Sequence, residues 1–175
     1  MSIRKIAYVG LLALAVTDCA LGASSNAASD SSPGTITATI QGPISIVKDK
    51  NLVFGTVVRP TSGSTTATVQ VTTAGVRSFS AGGTGYAFLA SPAASEAQFT
   101  ISGTASTSVS VTVPASISLS GPSSSTLTVT LTDDAGTALS SGGSMVVNVG
   151  GTVPLTVNST RGAYTGTLTV TASYN

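Results

Sequence analysis

The chain has no histidine and no tryptophan, and its single cysteine, Cys19, stands among the first twenty residues. Charge is nearly as scarce, with 7% of residues Asp, Glu, Lys or Arg. Each shortage excludes something. Without His, the side chain that most often serves as general base and metal ligand is missing. Without a second cysteine, no intramolecular disulfide braces the fold, so stability must come from burial and strand pairing. Without Trp, the best aromatic platform for a sugar ring is gone. From residue 23 onward, Lys48, Lys50, Arg59, Arg77 and Arg161 are balanced by Asp30, Asp49, Glu96, Asp133 and Asp134. That balance gives nucleic acid or an acidic surface no electrostatic handle.

The first residues form a different pattern. Arg4 and Lys5 precede an apolar run over 6–16 that is too short to span a bilayer, and Ala20-Leu21-Gly22 offers a small-x-small cleavage site before Ala23. Together they predict a secretory signal over 1–22. Cys19 raises the alternative of a lipoprotein signal, although Asp18 fills the position where such signals place a small residue. No later apolar stretch is long enough for a membrane-spanning helix.

Residues 23–34 are small and polar and predict a flexible leader. Beyond Gly34 the pattern has period two, with Thr and Ser on one face and Val, Ile, Leu or Ala on the other, punctuated by Gly, Pro and Ser. Strands are expected at 35–41, 44–48, 51–54, 66–72, 76–80, 97–102, 107–114, 116–120, 125–133, 145–157 and 164–174. Gly150-Gly151 is expected to break the 145–157 run, and Pro154 to place its second half at a sheet edge. No window carries a helical stripe. The expected fold is all-β: an immunoglobulin-like, two-sheet antiparallel sandwich over 43–175.

Chemistry finds little purchase. Asp133-Asp134 sits in a turn signal, where carboxylates are ordinarily solvated, and lacks the spacing of a calcium loop. Gly82-Gly83-Thr84-Gly85 leads into Tyr86-Ala87-Phe88 and has no lysine, so it reads as a hairpin turn and not a phosphate cradle. Catalysis, a metal and a cofactor are not expected.

The two ends carry more information. "GTITATIQGPISIV" (34–47) joins two alternating apolar runs through Gln41-Gly42-Pro43, and "RGAYTGTLTVTASYN" (161–175) ends on a strand with Leu168, Val170, Ala172 and Tyr174 on one face. The first stretch resembles the donor strand, proline-containing junction and first strand of major pilins of the alternate chaperone–usher pathway. The second resembles their C-terminal strand. "NLVFGTV", "GVRSF", "AQFTISG", "SVSVTVP" and "VNVGGTVPL" resemble a family of secreted, pilin-like bacterial domains of uncharacterised function.

The resemblance implies a sandwich that lacks one strand and is completed by 35–42 of a neighbouring subunit. Ile36, Ala38 and Ile40 would be the donor residues, and Leu168, Val170, Ala172 and Tyr174 one wall of the acceptor groove. It implies identical subunits, a periplasmic chaperone and an outer-membrane usher as partners, and a cell-surface fimbria reached through the periplasm as location. A non-polymerising coat protein and a carbohydrate-binding adhesin stay open as alternatives, as does pairing of 35–41 within its own chain.

Overall fold

The computed structural model describes residues 32–62, 66–80 and 84–175. The secretory-signal region and the Gly82-Gly83 turn lie outside the described residues. The chain divides into two units, Met1–Ala38 and Thr39–Asn175. Of the first, residues 32–38 are described; they are exposed and carry no strand.

The second unit is all-β and antiparallel, with no α-helix among the described residues. Its strands are β1 (Ser45–Lys50), β2 (Val57–Val58), β3 (Ala67–Val71), β4 (Arg77–Ser80), β5 (Ala87–Phe88), β6 (Ala97–Ser102), β7 (Val109–Thr112), β8 (Ser116–Ser120), β9 (Thr126–Asp133), β10 (Ser144–Leu155) and β11 (Thr171–Tyr174). A short 3-10 turn, Pro122–Ser124, joins β8 to β9. No helix is long and apolar enough to cross a membrane among the described residues.

Alternation of β-branched and hydroxyl residues suits a half-buried pleated strand, and the inward set forms the core. Val69 and Val71 of β3, Phe99 and Ile101 of β6, and Val147 and Val149 of β10 are exposed by 5% or less. Much of the outward set is uncharged and polar, with Val47, Asp49 and Val146 as exceptions. One unbroken cross-strand row runs Ser116, Thr130, Thr152, Gln70 and Ser78 over β8, β9, β10, β3 and β4.

β10 ties these strands together. Its first half, Ser144 to Val149, pairs with β6, and its second half, Gly151 to Leu155, pairs with β3 on the same side. β9 pairs along the opposite side from Val149 to Thr152. The exchange of partners falls at Gly150-Gly151. A Cβ at Gly151 would meet Val129 at 2.9 Å and Leu52 at 3.0 Å, and one at Gly150 would run into the backbone of Val71 and Thr72.

Three expectations change. The 145–157 run is not broken at its glycines: they allow close approach and the strand continues through them. Pro154 does lie at a free edge, as expected: the β9 ladder ends at Thr152, so on that side the strand has no hydrogen bond for a proline to lose. The 51–54 strand shrinks to a single bridge, Val53 to Ser95, and 164–174 enters ladders only at Thr165 and over β11. The two-residue pair of β2 and β5 has too short a pattern to be read from sequence.

Ile101 has no exposed surface and sits in the central cluster. Ile101→Ala should cost about 2–5 kcal/mol, read as a lowered urea midpoint at unchanged slope.

Candidate functional site

The inward residues are not equally covered. On the β3, β6 and first-half β10 side they are sealed, but Ile117 and Leu119 of β8, Leu127 of β9, and Leu52, Phe54 and Leu168 remain half-buried although packed on the same core. They surround a groove of about 1350 Å³ whose floor runs into the core at Phe99, Val153 and Leu155.

The groove has two walls. One is Lys48 to Thr61, the end of β1 and the chain after it, and the other is Ser159 to Leu168. Backbone that no ladder uses runs over 166–170, on and just beyond the second wall, whereas on the first the Thr56 carbonyl accepts the Leu89 amide at 3.0 Å and the Phe54 carbonyl is taken by a side chain. The second wall is held at its start by Thr165, which exchanges backbone hydrogen bonds of 2.8 and 3.0 Å with Ser120. It is held at its far end by β11, paired with β7 from Thr171–Thr112 to Tyr174–Val109. Between these anchors the segment stays extended, its threonines exposed and Leu168 and Val170 turned inward. Gly166 permits this course, because a Cβ there would press on Leu119 and the Ser118 carbonyl.

Side-chain arms hold the first wall where a ladder does not. The Arg77 guanidinium donates to the Phe54 carbonyl at 2.9 Å and to the Leu89 carbonyl at 3.1 Å, and lies 4.0 Å over the Phe88 ring. Phe88 stacks on Phe79 with centroids 4.2 Å apart. Gly55, at φ +74°, makes the sharp bend beneath, where a Cβ would strike Arg77 and the Pro92 carbonyl. Arg59 donates to the Ser159 carbonyl at 2.6 Å, tying one wall to the start of the other.

The rim is basic. Lys48, Lys50, Arg59 and Arg161 line it, and no carboxylate does. Lys50 pairs with Glu96 at 2.7 Å, and that hydrogen bond, helped by a backbone donor, holds the Glu96 carboxyl below its ordinary range. Asp134 is engaged elsewhere, accepting from the backbone and side-chain amides of Asn148, and Asp133 accepts from the Ala135 amide. Among the described residues no three Asp, Glu, His or Cys side chains come together around a metal-sized space.

The residues named from the sequence fall as follows. Leu168, Val170, Ala172 and Tyr174 are all half-buried and packed on the core, and of the four only Leu168 borders the groove. Ala172 and Tyr174 lie in the β11 ladder. Ile36 and Ile40 are 96% and 95% exposed, Ala38 is exposed, and 35–41 forms no strand. Leu52, Phe54, Tyr164 and the inward side chains of β8 and β9 were missed as lining. Alternation in "SISLS" and "TLTVTLT" marks them as inward-facing but not as incompletely covered.

A family model described as a domain of unknown function, DUF4402, matches residues 44–174. No curated protein and no solved structure matches the chain.

Two outcomes follow from the arms of the groove. Arg77→Ala should speed amide hydrogen exchange at 52–58 while leaving β6 and β10 protected, and should cost about 1.5–3 kcal/mol, the range for hydrogen bonds to a charged group. Because the Glu96 carboxyl is held low, its pairing contributes above the ordinary carboxylate range and is lost as pH falls through the folded-state value. Acid unfolding curves of Glu96→Gln should therefore converge with wild type at low pH and separate above it.

Proposed function

The chain belongs to the DUF4402 family, and we propose that it is a structural subunit of an extracellular fibre, joined to its neighbours by strand donation. The observation that carries this reading is the groove: an apolar floor open between two walls, with unladdered backbone at 166–170 along one of them. An exposed sheet edge is a template for an added strand, since its backbone groups supply hydrogen bonds and its pockets accept alternate side chains.

The occupant is 35–41 of a second copy. Its seven residues extend over ~23 Å, and the apolar positions Ile36, Ala38 and Ile40 lie on one face, as a groove with one apolar floor requires. Each isoleucine now stands in water, and burying one contributes about 1.5–3 kcal/mol. The family match begins at Ile44, so this segment stands ahead of the shared fold.

In this reading the domain is an immunoglobulin-like sandwich short of one strand, with Leu168 and Val170 in the wall that receives it. Export begins with the 1–22 signal, a periplasmic chaperone covers the groove until assembly, and an outer-membrane usher passes the subunits to the cell surface, where the fibre supports adhesion. With no tryptophan in the chain and no acid lining the groove, a sugar site or a catalytic dyad has no comparable support.

Surface-sheared or purified protein should run as a ladder of multimers in detergent without boiling and collapse to one band on boiling. Ile36→Asp and Ile40→Asp should each abolish that ladder while leaving secretion and the circular dichroism of the domain unchanged. A normal ladder from both variants would sink the proposal.

A further inference from the structure

Resting on the strand-donation reading, we propose that Tyr174 selects donation between subunits over self-insertion, by pinning the point where a subunit's own leader leaves its domain. The Tyr174 hydroxyl accepts from the Thr104 amide at 2.7 Å and donates to the Gly42 carbonyl at 3.0 Å. The Gly42 amide donates to Thr104 Oγ1 at 3.0 Å. Both backbone polar groups of Gly42 are thus committed to Tyr174 and to the loop that follows β6. Gly103 makes the seat, because a Cβ there would run into the phenol.

The direction of this pin matters. β1 pairs with β6 from Ser45–Ser102 onward, so a Gly42 bound at Thr104 continues the line of β1 past the end of the sheet. The groove begins at the opposite end of β1, at Lys48, and runs on to Thr61. For residues 39–41 to turn toward it, the chain must reverse at Gly42-Pro43 and give up both Gly42 hydrogen bonds. The same phenol also fastens the end of β11 to the start of β1, and these two strands lie against each other. The strands that flank the near end of the groove are thus fastened at Tyr174, and at the far end the Arg59–Ser159 hydrogen bond crosses between the walls.

Reach points the same way. A hairpin reversing at 42–43 would set residue 41 opposite 44 and residue 35 opposite 50. Ile36 and Ile40 would then face positions 49 and 45, and the unladdered 166–170 backbone would stay uncovered. A strand from another copy meets neither limit, since it is not tethered to this subunit's Gly42.

The test uses the full mature chain. Tyr174→Phe keeps the ring and its packing but removes every hydrogen bond of the hydroxyl. Thr104→Val keeps the shape of Thr104 and removes the acceptor for the Gly42 amide. Each variant should raise the ratio of folded monomer to multimer about tenfold, equivalent to about 1.4 kcal/mol, as measured by size-exclusion chromatography. In that monomer the amides of 35–41 should become protected from hydrogen exchange, a change that simple loosening of the fold would not produce. If Tyr174→Phe does not fold, Thr104→Val carries the test alone. Wild-type assembly by the folded variants, with 35–41 unprotected in any monomer, would overturn the role of Tyr174 and leave strand donation standing. A wild-type chain that never assembles would defeat the donation reading itself, and this one with it.

Discussion

The domain depends on one close approach, that of the β10 backbone to its neighbours at Gly150 and Gly151. There a single strand leaves β6, takes up β3 on the same side, and holds β9 on the other. No disulfide or charged cluster reinforces the junction, so its strength is that of ladder hydrogen bonds and buried valines. Leu52 and Phe54 pack over Gly151, which carries the consequence of that contact outward to the first wall of the groove. The open site and the tightest point of the fold are thus neighbours.

That proximity explains why the groove is firm without being closed. Its floor is the core, which cannot sag without moving β10. Its walls are held by specific devices: two arginine arms on one side, and the Thr165 bridge with the β7–β11 ladder on the other. A groove so built keeps its shape while empty, and a preformed site spares an arriving strand the cost of ordering its receptor.

Much of this was legible in the sequence, and the limits have physical causes. Period-two alternation located β3, β4, β6, β8 and β9 within a residue or two, because each has one face in the core and that face must be apolar. The same rule made Leu168 and Val170 inward-facing. It could not tell a covered inward face from an uncovered one, since Ile117 in the groove and Ile101 in the core obey identical alternation. Nor could it find Arg77, whose role depends on Phe54 and Leu89 being brought to it by the fold. Gly150-Gly151 misled for a related reason: two glycines read as an interruption, whereas here they are what close packing demands.

The row of Ser116, Thr130, Thr152, Gln70 and Ser78 has a consequence for the molecule's relation to its surroundings. These groups bind water through hydroxyls and an amide, which neither titrate nor gather counter-ions. A surface wetted in this way keeps its hydration in brine and in fresh water, in acid and in alkali. The price is the loss of long-range repulsion between molecules, so copies of this chain approach one another unhindered wherever they meet.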